Sequence, residues 1–319
     1  MKCFVLQLSS VGAVLVAMSD LSRTSVVIPC YRDDRFLAET LASVAAQSAA
    51  AKEVIVVDDG SPEPLQRPES WTGLPLIWIR TPNQGLGAAR NVGLQAAAGE
   101  FVAFCDADDW WQPNKLEIQQ ARLDARSGAV ACYTHCVDAA GYFPFGPYPD
   151  PDLPADDLAA LLWNGQFFPP SSVLVRAEVA KRVGGFREGL TNGEDLDFWF
   201  RILEHGEIVG VPEPLCWYRQ HEGQITSNPV RRVMGSKQAR CQIIERFSDR
   251  LIRGGIAADR LWDAYRSEIL CVYYRRQLTA ARPMLWDFWR DHPHELRMLA
   301  YWLITWCPTD WVERFRGKI

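Results

Sequence analysis

From Thr24 to about Arg219, short apolar and β-branched runs alternate with longer stretches of helical periodicity. The runs at 25–28, 54–57, 76–79, 101–105 and 129–133 are nearly continuously apolar, as strands covered on both faces should be. Between the first two, Phe36, Leu37, Leu41, Val44 and Ala45 share one stripe of a helix predicted over 35–47, with Asp33 or Asp34 placed to cap it. Residues 87–97 and 114–125 read as the next two helices. The alternation predicts an α/β fold with a mostly parallel central sheet. After a Pro-rich connection, "FPFGPYPDPDLP", order returns with "PPSSVLVRAEVAKRVGGF" and a helix over 194–205. Beyond Ser236 the spacing is helical, through Ile243, Ile244 and Phe247 and then Leu261, Trp262, Tyr265, Ile269 and Tyr273.

The two ends differ from the middle. Residues 4–18 form an apolar stretch broken by Gln7, Ser9, Ser10 and Gly12. It is shorter than the roughly 20 residues of a spanning helix and lacks a small-residue cleavage site. Residues 1–23 read as an N-terminal extension holding a short membrane-contacting segment; in the alternative reading Met18 is the true start. At the other end, Trp286, Trp289, Trp302, Trp306 and Trp311 lie among Arg290, Arg297, Arg314 and Arg316. Such a mixture suits rings held between an apolar layer and water. The expectation is a helical region over 229–319 that packs on the catalytic core or on a second subunit, or that makes peripheral contact with a membrane.

Composition narrows the class. Hydrophobic residues make up 48% and charged residues 23% of the 319, which suits a folded, mostly soluble chain. The net charge of −5 supplies none of the basic field a phosphate backbone needs, so nucleic acid is not expected as a partner. Nine cysteines without a CxxC pair suit a reducing, cytoplasmic compartment. Cys132 and Cys136 read as packed thiols on a strand and the loop after it, because no second Cys/His pair is spaced to complete a metal site.

Polar chemistry gathers where the predicted strands end. The first runs into Pro29-Cys30-Tyr31, the second into Asp58-Asp59-Gly60-Ser61, the fourth into Asp106-Ala107-Asp108-Asp109. In an open α/β sheet, ligands bind beyond the carboxyl ends of the strands, so these groups define one rim. Three neighbouring carboxylates repel: two unit charges 4 Å apart cost about 4 kcal/mol at an effective dielectric near 20. A cation or donors must compensate them. Oxygen ligands suit Mg2+ or Mn2+, ions usually completed by water and a substrate phosphate.

The segment "NQGLGAARNVGL" lacks the G-x-G-x-x-G spacing of a dinucleotide site, since Arg90 stands where the third glycine belongs. Its glycines can instead let a loop approach a ligand, with Arg90 offering a fork of donors.

Taken in order, "SVVIPCYRDDRFLAETLASVAAQ", "EVIVVDDGSPE", "NQGLGAARNVGL", "GEFVAFCDADDWWQPNKLE", "GEDLDFWFRI" and "YRQHEGQIT" resemble the family-2 inverting glycosyltransferases with the GT-A fold. The resemblance covers about 24–227 and implies a glycosyltransferase domain over 24–228. By that resemblance Pro29 and Tyr31 form the wall for the nucleotide base, and Asp59 accepts the base imide proton. Asn83, Gly85, Arg90 and Ala107 join them in binding the nucleotide sugar. Asp106 and Asp108 match the D-x-D pair, with Asp108 on the metal and Asp106 on the ribose or a metal-bound water. Asp109 is a further ligand or a helix cap. Asp195 matches the general base, with Glu194 beside it. Arg219 and His221 match groups that close over the diphosphate and, for His221, reach the metal.

The resemblance thus implies Mn2+ or Mg2+ as cofactor, a nucleotide-diphospho-sugar donor such as a UDP-sugar, and a saccharide or lipid-linked acceptor. Beyond Asn228 the chain has no Q-x-x-R-W motif and no multi-span bundle, features associated with processive synthases, so transfer of single sugars is expected. Trp110 and Trp111 read equally as sugar platform or core, whereas Phe198 and Trp199 read as core. A sugar-nucleotide pyrophosphorylase would carry a Gly-rich loop where Pro29-Cys30-Tyr31 stands. The non-enzyme alternative is a nucleotide-sugar sensor or scaffold on a degenerate transferase fold. Acceptor specificity is expected to lie in 141–170 and 183–192.

Overall fold

The computed structural model describes residues 22–307 apart from 33, 68–74, 145–149, 166–167, 222–223, 225–227 and 276. Expectations on residues 1–21, Asp33, Trp311, Arg314 and Arg316 lie outside these. The described chain forms two compact units, 22–189 with 194–221 and 190–193 with 224–307.

In the first unit, strands β1 (Thr24–Cys30), β2 (Glu53–Asp58), β3 (Leu76–Arg80), β4 (Phe101–Phe104), β5 (Trp110–Trp111), β6 (Ala129–Val137), β7 (Val173–Arg176) and β8 (Glu207–Trp217) make one sheet. Its order is β3-β2-β1-β4-β7-β6-β8-β5. The first four strands are mutually parallel, as are β6 and β8, whereas β7 runs antiparallel to β4 and β6 and β5 antiparallel to β8. The chain builds outward from β1 to β3 and then crosses back to place β4 on the other side of β1. That reversal opens a crevice at the carboxyl ends of β1 and β4, the position where such sheets bind ligands.

Alternation along the strands sorts the two faces. Val26, Ile28, Val54, Val56, Phe101 and Ala103 join one apolar cluster with Leu37, Leu41 and Val44 of α1 (Leu37–Ala45) and Leu116 and Leu123 of α3 (Lys115–Asp124). Each buried Val, Leu, Ile or Phe side chain among these contributes about 1.5–3 kcal/mol. Val27 points the other way, toward α2 (Leu86–Ala96). There a Cβ on Gly93 would sit 2.2 Å from Val27 Cγ1, so helix and strand approach more closely than alanine permits.

The structure departs from expectation in three places. β8 contains Pro212 and Pro214, which ordinarily argue against a strand; they are accommodated where the β6–β8 register shifts, between Thr134 and Cys136. Cys136 belongs to strand β6 and not to a following loop, and it faces Cys216 of β8 at an Sγ–Sγ distance of 3.4 Å. Asp34 does not cap α1 with its side chain: the helix starts two residues later than expected, with Phe36 at the N-cap, and the Asp34 carbonyl accepts from the Leu37 amide.

The second unit is helical, built from α7 (Pro229–Arg253), α8 (Asp263–Tyr274), α9 (Leu278–Asp291) and α10 (Leu296–Ile304). Asn228 caps α7 by accepting from the Arg231 amide. The core holds Val233, Tyr265, Ile269, Val272, Tyr273, Met284, Leu285, Phe288 and Met298. Among the described residues no helix is long and apolar enough to cross a membrane.

Candidate active site

Strand β2 ends in two aspartates with different duties. Asp58 is buried and structural, accepting from the Ser61 amide at 2.9 Å and from Arg80 Nη1 at 3.1 Å. Asp59, 3% exposed, accepts from the amides of Gln84 and Gly85 at 2.9 Å each, and so ties strand β2 to the start of α2. Burial pushes its pKa up, against those two amide bonds. Asn83 closes the same junction by donating to the Asp59 carbonyl. Gly60 lies at φ +69° with its Cα against the Asn83 amide, where a Cβ would come within 2.4 Å, so the turn requires glycine twice over.

At the end of β1, Pro29 is buried in the strand and Tyr31 is 39% exposed at the rim. Arg32 follows at φ +66°, the one non-glycine residue with positive φ among the described residues, and its amide donates to Ser61 Oγ. A side chain held in that region costs of order 1 kcal/mol or more, and strain of this kind clusters at functional sites.

The acidic loop after β4 is supported from beneath. The Asp106 amide donates to Ser171 Oγ at 3.0 Å. The Thr40 hydroxyl of α1 lies 2.9 Å from the Ala107 carbonyl and 2.7 Å from that of Asp109. Asp108 Oδ2 stands 2.9 Å from His221 Nε2, and burial, then the neighbouring Asp106, pushes the Asp108 carboxyl up. Asp109 turns inward, fully buried, and Oδ1 accepts from the Arg219 amide. Burial pushes its pKa well up. It is therefore neither an exposed ligand nor a cap: α3 begins beyond it, with Asn114 at the N-cap.

Arg219 is held by three elements. Nη2 reaches Glu39 of α1 at 2.6 Å, Nε donates to the Asp108 carbonyl, and the guanidinium lies 4.1 Å from the Phe36 ring centre and 4.5 Å from that of Trp110. Trp110 also stacks on Trp217, its cross-strand partner, at 5.6 Å and 7°. Trp111 is core: 3% exposed, its indole N–H donates to the Ser171 carbonyl. Phe198 and Trp199 are fully buried, as expected.

On the facing side, α6 (Glu194–Ile202), which follows α4 (Ala155–Trp163) and α5 (Ala177–Arg182) in the chain, presents its two leading carboxylates. Arg90 of α2 is 2% exposed and grips Glu194 Oε1 at 2.9 Å through Nη1 and Asp106 Oδ1 at 2.8 Å through Nη2. The fork of donors read as available for a ligand is spent inside the protein, locking the acidic loop to the start of α6. Asp195, half-buried, has its pKa pushed up to about 7 by burial first and by Glu194 second, with Arg90 and the Leu196 amide opposing. Helix-start amides favour the ionised form; burial and a like charge outweigh them.

The donor set fits Mg2+ or Mn2+ through few protein ligands. Asp108 offers a crowded, half-buried carboxylate with His221 beside it. Asp106 is engaged by Arg90. No group of three or more His, Cys, Asp or Glu gathers at metal-binding geometry among the described residues. An ion held there would take its remaining ligands from water and substrate, which is usual for these cations. Thr40 and Ser171 were not singled out from sequence; a Ser or Thr beneath a strand-end loop carries no pattern of its own.

This sheet, with its switch point between β1 and β4 and carboxylates on both sides of the crevice, defines a GT-A glycosyltransferase. The chain belongs to glycosyl transferase family 2, whose model matches residues 25–184. It is 27% identical over 214 residues to an uncharacterized glycosyltransferase of Rickettsia typhi, covering 66% of this chain and 67% of that protein. It is 30% identical over 269 residues to the O-antigen biosynthesis protein RfbC of Myxococcus xanthus, covering 81% of this chain but 20% of that one. Among solved structures it resembles S. aureus TarS 1–349 in complex with UDP-GlcNAc, with a TM-score of 0.61, 21% identity, and coverage of 83% of this chain and 80% of TarS 1–349. It also resembles the mannosyltransferase PcManGT of Pyrobaculum calidifontis in complex with GDP-Man and Mn2+, with a TM-score of 0.55, 17% identity, and coverage of 98% and 97%.

Proposed function

We propose that this glycosyltransferase moves a single hexose, with inversion, from a nucleoside-diphosphate donor, a UDP-sugar, to a hydroxyl of a saccharide or lipid-linked acceptor. The reading places it in assembly of a cell-surface polysaccharide or glycolipid, in keeping with the name of the Myxococcus relative and with the chondroitin synthase of Escherichia coli, 23% identical over 232 residues. The observation that carries it is the pairing of a base with a clamp. Asp195 has a pKa near neutrality, and its neighbour Glu194 is fixed through Arg90 to the loop that holds Asp106 and Asp108.

Inversion needs one in-line displacement. The acceptor oxygen forms a bond to the anomeric carbon while the bond from that carbon to the diphosphate oxygen breaks, and the acceptor proton passes to an oxygen of Asp195. A carboxylate so placed contributes about 10²–10⁴-fold. The leaving diphosphate takes the bonding electron pair, and Arg219 is the group we assign to balance that charge. Asp108 and His221 would hold Mn2+ or Mg2+, which supplies charge stabilisation to the diphosphate. Tyr31 at the end of β1 and the Asp59 junction with Gly85 form the nucleotide side.

Incubation of the full chain with a panel of UDP- and GDP-sugars and Mn2+, followed by detection of released nucleoside diphosphate and the anomeric configuration of the product, tests the reading. An inverted product from one donor is expected. Tight donor binding with no turnover on any acceptor would instead identify a sensor.

A further inference from the structure

The C-terminal unit carries an apolar surface that its own core does not use. Of the nine residues of α10, sequence LRMLAYWLI, Met298 alone is buried. Leu296, Leu303 and Trp306 are 68%, 54% and 60% exposed, and Trp286 of α9 is 41% exposed. Soluble surfaces tolerate scattered apolar residues, but these four are gathered on the last two helices and the turn that follows them. The rings form a ladder: Trp286 lies 4.9 Å from Trp302, and Trp302 lies 5.9 Å from Trp306. Indoles of this kind, apolar in body with one polar edge, favour the boundary between hydrocarbon and headgroups.

One cationic group borders the ladder. The Arg282 guanidinium lies 3.7 Å from the Trp306 ring centre and donates to the Thr305 carbonyl. Arg297 makes no hydrogen bond or ion pair among the described residues. It lines a groove of about 410 Å3 together with Arg266, Glu295 and Tyr301, in which Arg266 is already paired with Glu295. The sequence gives these groups company: residues 229–319 hold seventeen Lys and Arg against ten Asp and Glu, a net charge of +7, whereas residues 1–228 carry −12. The acidic total of the chain conceals a basic unit, and the exposed apolar helix lies in that unit.

We propose that the C-terminal unit docks on the surface of an anionic lipid bilayer, with α10 and the end of α9 entering the headgroup layer and the flanking arginines meeting lipid phosphates. Charge decides between a bilayer and a second copy of the chain. Two units of +7 repel one another, whereas anionic headgroups attract each Lys or Arg within a Debye length. Among the described residues no helix is long and apolar enough to cross a bilayer, so the contact proposed is interfacial and reversible. The proposal goes beyond glycosyl transfer and is tested without donor or acceptor, so its failure leaves the enzymatic reading untouched.

The test is co-sedimentation of the full chain with vesicles of phosphatidylcholine alone and of phosphatidylcholine with one-quarter phosphatidylglycerol, at low and high salt. Binding to the anionic vesicles should exceed that to neutral ones by about tenfold or more and weaken as salt rises. The double variant Leu303→Asp, Trp306→Ala changes two half-exposed side chains and should keep the wild-type melting curve. It should bind anionic vesicles at least about tenfold more weakly. Arg297→Glu should weaken anionic binding without affecting the neutral background. No vesicle binding, equal binding to both compositions, or full binding by the double variant would overturn the proposal. So would a concentration-dependent dimer abolished by the same variant in a chain that ignores vesicles, which would make the face an interface between copies.

Discussion

Arg90 donates to Glu194 across 104 positions of sequence, at 2.9 Å and with 2% of its side chain exposed. With its other terminal nitrogen on Asp106, it is a positioning residue for both carboxylate sites. Replacing Arg90 by Met leaves Glu194 and Asp106 without a cation in a poorly solvated site, and breaking such a pair costs about 3–5 kcal/mol. Denaturant unfolding should show that loss. Arg90→Lys keeps the charge but cannot grip two carboxylates in one plane, so it should recover part of the stability and less of the turnover.

The pH profile follows from Asp195. A general base must be ionised, so kcat/KM should rise through about pH 7 and level off above it. Glu194→Gln removes the like charge that raises this pKa, and it frees Arg90 to act on Asp195, so both effects move the rising limb to lower pH. A limb that stays in place or moves up would separate Glu194 from the titration.

Stability carries the opposite sign at the same residue. A carboxyl whose folded pKa lies above its unfolded value stabilises the fold while protonated, and this contribution is lost as pH rises through the folded value, here about 7. Asparagine cannot ionise. Asp195→Asn should therefore melt higher than wild type at pH 8, by about 2–4 °C, with the difference vanishing near pH 4. Scanning calorimetry at the two pH values reads it directly.

Much of this was legible in the sequence, and the misses have physical causes. The strands β1 to β4 and helices α1 to α3 are local patterns of apolar spacing, and the chain alone carries them. β8 was not legible because Pro212 and Pro214 signal a break unless a bulged neighbour absorbs them, and that neighbour, β6, lies some 70 residues away. The fate of Arg90 was hidden for the same reason. Its partners are 16 and 104 residues distant, and nothing local distinguishes a guanidinium aimed at a ligand from one buried between carboxylates. Asp109 looked like its neighbours in "DADD", but the loop turns it into the core.

Close packing gives a prediction independent of chemistry. Gly93→Ala places a methyl 2.2 Å from Val27 Cγ1, in a valine that cannot swing away. Overpacking of this kind costs about 1–3 kcal/mol, and thermal unfolding should register it while donor affinity at the remaining enzyme is preserved.

Metal dependence is read by calorimetry of UDP with Mn2+ and with EDTA. Phosphate oxygens should not approach Asp106 and Asp108 without a cation between them, so chelation should weaken binding at least about tenfold. Asp108→Asn should bind UDP weakly in both conditions. Equal wild-type affinity with and without metal would remove the ion from the account.

The most direct measurement is steady-state turnover of Asp195→Asn at saturating donor and acceptor, alongside its donor affinity. Asparagine keeps the shape and removes the basicity, so kcat should fall by about 10²–10⁴-fold while donor Kd stays within about twofold of wild type. An enzyme that keeps more than about a tenth of wild-type turnover would contradict the assignment and move the base to Glu194.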